Sequence, residues 1–301
     1  MLKYCLAAIV MITVYMSKAC DACGCSSNTS SFGILPGFQQ NFVGMRYQYR
    51  SFKSYPHHTN GEDVTGSTEF YQTTELWGRY IIKKRIQVFA FVPYNQFGRN
   101  VNGKLTNVNG LGDASLVVNG LFINSVSGAH GQYRHALMAG FGLKMPTGKF
   151  EIIKEGLLLN RNLQPGTGTF DIPVNASYFL RTKQWGINLE GMAVKTGTNR
   201  MHFKPGNRAS AGGRLYLWKK YKNVNFIPQT GVNCEWQSAD KENGKSVTLT
   251  GGNATYAGFG MDAYYKKIGI NFFMKLPVSQ QINDGYTANI LKLNAGLVVL
   301  L

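Results

Sequence analysis

The sequence contains a succession of long segments in which apolar and polar residues alternate, and this feature limits the folds open to the chain. Around residues 136–145 one face would carry Leu137, Ala139, Phe141, Leu143 and Met145, and the other Gly140, Gly142 and Lys144. A period of two is that of a β-strand, whose successive side chains point to opposite faces. The pattern therefore predicts an all-β protein.

Twelve segments of this kind follow one another along the chain. The predicted strands are 42–52, 68–82, 86–97, 111–123, 136–145, 171–180, 185–195, 207–218, 224–236, 252–265, 268–278 and 287–301. Most span about ten to fourteen residues, whereas strands of soluble proteins average about five or six, and a tilted membrane strand needs about nine to eleven. The lengths therefore favour strands that cross a membrane.

The connections between these strands alternate between short turns and long loops. Tight turns such as 83–85 and 266–267 alternate with loops such as 98–110 and 146–170, the last of which includes a predicted turn of helix at 152–159. Outer-membrane barrels sort their connections in this way, with short periplasmic turns and long extracellular loops. We therefore predict a transmembrane antiparallel up-and-down β-barrel of about 12 strands over residues 41–301, in the outer membrane of a bacterium.

Composition agrees with a barrel and argues against nucleic-acid binding. Charged residues make up 16% of the chain, and the chain has 35 Gly, 18 Phe and 16 Tyr, which fits an outer face in contact with lipid. The net charge is +17, but the longest run of Lys and Arg is 83–85. We therefore expect outer-membrane lipid and small, often anionic, solutes as partners rather than nucleic acid, while the oligomeric state stays open.

The N-terminus has the features of an export signal. Lys3 precedes an apolar run, and small residues up to Ala19 form a cleavage site, so residues 1–19 are a predicted signal peptide and 20–40 a Cys-rich segment. Cys20, Cys23 and Cys25 could form a disulfide, bind a soft metal such as Cu(I) or Zn, or belong to a flexible cap. Cys20 is either an ordinary first residue or a lipid-modified one. No other cofactor is predicted.

The polar faces of the strands predict the residues inside the barrel. The predicted lumen-facing charged residues are Arg46, Arg50, Glu75, Arg79, Asp113, Lys144, Asp171, Glu190, Arg208, Arg214, Glu235, Asp262, Lys275 and Lys292. Two interpretations stay open. The opposite charges could pair across strands and fill a narrow interior, or they could line a mildly basic pore for small anionic or aromatic-acid solutes.

Enzymatic activity is not predicted. Hydrolysis by a serine nucleophile needs a base beside the serine. The chain has five histidines, His135 among them, but its sequence contains no His-x-Ser pair and no Gly-x-Ser-x-Gly motif. We therefore assign no catalytic residue.

Three stretches carry a resemblance to a known family. They are Gly110-Leu-Gly-Asp113, Gly140-Phe-Gly-Leu-Lys-Met-Pro-Thr-Gly148 and Leu163-Gln-Pro-Gly-Thr-Gly-Thr-Phe-Asp171. Together they resemble the outer-membrane family labelled for the meta-pathway of phenol degradation. Members usually have Ser where Thr169 stands, and many outer-membrane barrels end in Phe, whereas the last residue here is Leu301. The resemblance implies a barrel of transporter or channel type and fixes no substrate.

Three functions are therefore open. The first is a channel or transporter that passes small anionic or aromatic solutes by passive diffusion. The second is a copper- or zinc-related transport or sensing protein that uses the Cys cluster. The third is a structural barrel without a pore.

Overall fold

The computed structural model describes residues 40–59, 62–83, 85–127, 133–154 and 157–301. The predicted signal peptide and the Cys-rich segment, with Cys20, Cys23 and Cys25, lie outside the described residues apart from Gln40. Among the described residues, no helix is long and apolar enough to cross a membrane.

Twelve long strands form the wall of the molecule. They are β1 (Phe42–Ser54), β2 (Ser67–Ile82), β3 (Ile86–Val101), β4 (Ser115–Ser127), β5 (Tyr133–Lys144), β6 (Ile172–Arg181), β7 (Trp185–Lys195), β8 (Arg208–Leu217), β9 (Val224–Gln237), β10 (Gly252–Tyr265), β11 (Ile268–Ile282) and β12 (Thr287–Leu300). Each pairs antiparallel with its neighbours in sequence, and β1 also pairs with β12, from Phe42 opposite Leu300 to Ser54 opposite Thr287. The sheet therefore closes into the predicted 12-stranded up-and-down barrel.

The start of β4 and the loop before it were predicted wrongly. β4 begins at Ser115 rather than at 111, and the predicted loop 98–110 is largely a β-hairpin in which Lys104–Leu111 pairs with the end of β3. Asn102 and Gly103 make its turn with positive φ angles of 50° and 84°. Both faces of Lys104–Leu111 mix apolar and polar residues, so the hairpin lacks the apolar alternation by which the other strands were found.

The predicted turn of helix at 152–159 is also wrong. Ile153–Lys154 and Leu157–Leu158 form a short antiparallel pair, and a 3₁₀ turn follows at Arg161–Leu163. A single isolated helical turn fixes several residues for one hydrogen bond, so it is a poor competitor against a β-pair in the same loop.

The outer face of the barrel is a belt of exposed apolar side chains. Leu76, Phe141 and Ile270 are 57%, 65% and 58% exposed, although a soluble protein would bury such residues. Lipid satisfies this surface because it is as apolar as the side chains. The inner face, by contrast, holds the buried polar residues, and it therefore contains the candidate site.

Candidate functional site

The charged residues predicted for the barrel interior are mostly buried there. The buried ones are Arg46, Arg50, Glu75, Arg79, Asp113, Lys144, Asp171, Arg214, Asp262 and Lys275. The others, Glu190, Arg208, Glu235 and Lys292, are half-buried and line interior cavities. The structure thus places the set on the inward face, while their role in lining a pore stays a prediction.

Many of these charges pair across neighbouring strands. Arg46 of β1 forms an ion pair with Glu75 of β2, and Arg214 of β8 contacts Glu190 of β7 at 3.2 Å. Two buried opposite charges stabilise one another strongly only when their remaining hydrogen bonds are satisfied. Removing one of them leaves the other as an uncompensated charge in a low-dielectric interior. Part of the set is therefore a structural ladder, as the first interpretation of the sequence expected.

A denser group of contacts holds the longest loop, 145–171, inside the barrel rim. Lys144 Nζ lies 2.8 Å from Asp113 Oδ2 and 3.0 Å from Asp171 Oδ2, so one ammonium bridges two carboxylates. Thr167 donates to Asp113 through its backbone N–H at 2.9 Å and its hydroxyl at 2.6 Å, and Thr169 donates its hydroxyl to Asp171 at 2.7 Å. We call these five residues the Lys144 anchor.

The Lys144 anchor joins the three stretches that carry the family resemblance. Asp113 comes from the first, Lys144 from the second, and Thr167, Thr169 and Asp171 from the third. Glycines let the stretches approach, since a Cβ on Gly166 would lie 2.5 Å from the carbonyl carbon of Gly148. The three stretches therefore supply the contacts that attach the loop to the barrel. Leu163 adds an apolar contact, because it lies in a buried cluster with Phe52, Tyr71 and Phe97.

Ion pairs and hydrogen bonds join the long loops at this end of the barrel. Arg161 pairs with Glu242, and Arg200 pairs with Glu151, which joins loop 145–171 to the two loops that follow. The hydrogen bond from Arg200 lowers the pKa of Glu151. Asp240 accepts the Gly206 N–H at 2.6 Å, and burial raises the pKa of Asp240 despite that bond. The loops are therefore tied to one another as well as to the barrel.

A cavity of about 980 Å³ of empty space, partly open to solvent, lies beside the Lys144 anchor. Its charged lining is Arg50, Arg208, Glu235, Lys275 and Lys292, and Phe52 and Tyr256 add aromatic surface. Lys292 is directly opposite both Arg50 and Lys275, so three cations stand in one row across β1, β12 and β11. Directly opposed like charges destabilise a sheet.

Glu235 offsets part of this charge. It contacts Lys292, and it lies 3.4 Å from Lys275. The lining has four cations and one carboxylate, and one of the cations, Arg208, also contacts Asp171 at 3.3 Å, so the lining is positive on balance. A polar cavity with surplus positive charge and low-dielectric walls attracts anions.

Buried apolar side chains form a layer inside the barrel near its short turns. This aromatic layer consists of Phe42, Trp77, Phe89, Phe91, Val117, Tyr216, Ile227, Tyr264, Val298 and Leu300, all buried. Trp77 packs edge-on against Phe42 with ring centroids 4.6 Å apart and stacks on Phe91 at 6.1 Å. Arg46 lies 4.8 Å above Trp77, so the polar ladder and the aromatic layer meet there. The aromatic layer therefore lies between the positively charged cavity described above, which we call the basic cavity, and the short turns.

One serine–histidine contact that the sequence did not reveal occurs on the outer face. His135 Nε2 lies 2.8 Å from Ser127 Oγ, and His135 Nδ1 lies 2.7 Å from the Tyr178 hydroxyl. Ser127 and His135 are eight residues apart, on paired strands, so no short motif marks them. A neutral phenol stabilises an imidazolium less than the carboxylate of a hydrolase triad does. We therefore assign the three residues no catalytic role.

A metal site would need a group of His, Cys, Asp or Glu side chains. In the part of the chain that the structure describes, no group of three or more of them is placed to hold a metal ion. Cys234, the one cysteine among these residues, is exposed on β9. A metal role would therefore depend on the Cys cluster at residues 20–25.

Comparison with known proteins supports the fold. No family model matches the chain, and no curated protein sequence matches it. Among solved structures, it is similar to an outer membrane channel from Pseudomonas putida F1, with a TM-score of 0.61, 15% identity, and coverage of 87% of this chain and 96% of the channel.

Two autotransporter barrels show the same architecture. The transport unit of AIDA-I from Escherichia coli has a TM-score of 0.51 and 11% identity, with 90% of this chain and 94% of that one covered. The β-domain of the Bordetella autotransporter BrkA has a TM-score of 0.50 and 11% identity, with coverage of 87% and 100%. The closed barrel and its lipid-facing belt make this chain a bacterial outer-membrane β-barrel of channel-like fold.

Proposed function

We propose that the barrel is a channel that passes small anionic solutes, aromatic acids among them, by passive diffusion. The observation that carries this proposal is the row of Arg50, Lys292 and Lys275 on the wall of an open cavity. Cations that repel one another are stabilised when an anion lies between them, so the row favours anionic solutes over cationic ones. Phe52 and Tyr256 offer apolar contact to the body of such a solute.

Buried polar side chains other than the charged residues also face the barrel interior. The buried amides of Gln48, Asn119 and Asn175 face the interior, and each has an amide atom without a protein hydrogen-bond partner. Buried polar groups need such partners. A hydrated or solute-filled path would supply them, which favours a pore over a fully packed interior. We also propose that the chain belongs to the outer-membrane family of the meta-pathway of phenol degradation, because the three resembling stretches meet at the Lys144 anchor.

Neutralising two cations of the row is expected to weaken anion selectivity. The double substitution Arg50→Gln and Lys292→Gln removes two positive charges from the lining and leaves the Lys275–Glu235 contact in place. The preference for chloride over potassium should fall about threefold or more, because a low-dielectric channel focuses the field of its charges. Reversal potentials of planar bilayers under a salt gradient measure this preference. Glu235→Gln should shift it the other way.

The matched control removes two cations from the outer loops. Lys204→Gln with Lys241→Gln changes the net charge equally but lies outside the cavity. It should leave selectivity nearly unchanged. Liposome flux of benzenesulfonate against benzyltrimethylammonium then tests aromatic anions directly. Equal flux of both, or equal effects of the two double substitutions, would contradict the proposal.

Structural observations also favour a second candidate, a barrel that does not conduct. The aromatic layer fills the short-turn end of the lumen with buried side chains. A correctly folded protein that carries no current or flux in any of these assays would support this alternative.

A further inference from the structure

Charge is sorted between the two ends of the barrel. Four of the five short turns, 83–85, 182–184, 218–223 and 266–267, contain nine Lys or Arg residues; the fifth, 128–132, contains none, and no Asp or Glu occurs in any of the five. The long loops mix both signs, and their cations form ion pairs such as Arg161–Glu242 and Arg200–Glu151. Short turns of an outer-membrane barrel face the periplasm, so its periplasmic rim is positive at four of its five turns.

The cations of this rim lie close to side chains that face lipid. Lys266 Nζ is 5.4 Å from the ring centroid of Tyr265, and Lys222 Nζ is 5.6 Å from that of Tyr221. Both rings are exposed, as is Ile268 on the other side of the 266–267 turn. Tyrosines of this kind lie at the level of the lipid headgroups. The ammonium groups beside them are therefore at headgroup depth rather than out in the periplasm.

Backbone geometry shows that folding alone does not favour lysine in these turns. Lys83, Lys222 and Lys266 have φ angles of 49°, 50° and 50°, in the left-handed region. The corresponding turn positions at the opposite end are Asn102 and Asn243, each followed by a glycine. Asn and Gly adopt left-handed φ more readily than Lys does. What lysine adds at these three positions is its charge.

We propose that this rim binds the phosphate-bearing headgroups of anionic phospholipids in the periplasmic leaflet. The ammonium groups would contact the phosphates, while the exposed aromatic side chains pack on the glycerol and upper acyl regions. A single Lys near an anionic membrane surface strengthens binding about fivefold. Depth in the membrane argues for lipid over a soluble acidic protein, and the site is independent of solute passage through the lumen.

Lipid-specific quenching of tryptophan fluorescence tests this proposal. Trp185 is exposed at the start of β7 and reports on the basic end, whereas Trp218 packs against the interior aromatic layer; a Trp236→Phe background removes the exposed tryptophan of the other end. In phosphatidylcholine vesicles at low salt, brominated phosphatidylglycerol should quench more strongly than brominated phosphatidylcholine. We expect an apparent preference of about threefold or more.

The deciding variant is Lys83→Asn, Lys222→Asn and Lys266→Asn, because Asn suits the left-handed φ at each position. It should weaken the preference clearly, because three of the nine rim cations are removed, while the barrel stays folded, as shown by heat-modifiable migration on gels. The matched control, Lys204→Asn, Lys241→Asn and Lys245→Asn, removes three charges from the other end and should keep the preference. Equal quenching by both lipids in the wild type, or equal loss in both variants, would overturn the proposal.

Salt provides a test that needs no variant. Headgroup contacts at the membrane surface are screened, so the wild-type preference should fall steadily as the salt concentration rises. A preference that high salt leaves unchanged would also overturn the proposal.

Discussion

Replacing Lys144 with alanine should destabilise the barrel by about 3–5 kcal/mol, the usual loss when one partner of a buried ion pair is removed. Asp113 and Asp171 are 2% and 0% exposed, and both rely on this ammonium. Arg208 would remain near Asp171 at 3.3 Å, whereas Asp113 would lose this ammonium and keep the hydrogen bonds from Thr167 and Gly148. Urea-induced unfolding in lipid vesicles, followed by tryptophan fluorescence, measures the loss.

The same substitution should release loop 145–171 from the rim. Because Thr167 and Thr169 are held through the carboxylates that Lys144 neutralises, limited proteolysis should cut the loop much faster in Lys144→Ala. Asp113→Asn in the Lys144→Ala background should restore part of the stability, since it removes a buried charge that has lost the ammonium of Lys144.

An exposed ion pair provides the control. Arg200→Ala breaks the contact with Glu151 on the loop surface and should leave stability nearly unchanged, because solvent screens an exposed ion pair. If Lys144→Ala also left stability nearly unchanged, the Lys144 anchor would not hold the loop.

Sequence alternation was sufficient to predict the barrel because each strand has one face in lipid. In β5, for example, Phe141 and Leu143 are exposed while Lys144 is buried inside, as their phases predicted. Trp77 shares its phase with Glu75 and Arg79, and it points inward with them. Where the two faces differ chemically, a period of two assigns inside and outside.

Alternation could not reveal the aromatic layer, because both faces of β3 are apolar there. Phe89 and Phe91 point inward, whereas Ala90 and Val92 point outward, and sequence alone does not distinguish the two sets. The Lys144 anchor was equally hidden, since Asp113 and Thr167 are 54 residues apart. The family-like motif marked those residues but not the contact that joins them.

Removing the ring of Phe91 should open the aromatic layer. Phe91 is 4% exposed and stacks on Trp77 and Phe89, so Phe91→Ala creates a gap in the aromatic layer below the basic cavity. A hydrophobic constriction blocks ions by excluding water, and we therefore expect single-channel conductance to rise about threefold or more. The packing lost should also reduce stability by about 3–5 kcal/mol.

Phe141→Ala is the control for this experiment, because it removes the same ring from the lipid-facing side of the wall. Phe141 is 65% exposed and lies outside the lumen, so the conductance of the Phe141→Ala variant should match that of the wild type. The comparison separates a path through the aromatic layer from a general loosening of the barrel. If Phe91→Ala folds, as heat-modifiable migration would show, and still conducts no better than Phe141→Ala, solutes do not cross the layer at this point. If the wild type also carries no current, that result would favour the barrel without a pore. A rise in conductance that occurs in Phe91→Ala and not in Phe141→Ala would instead place the barrier to diffusion between the basic cavity and the periplasm.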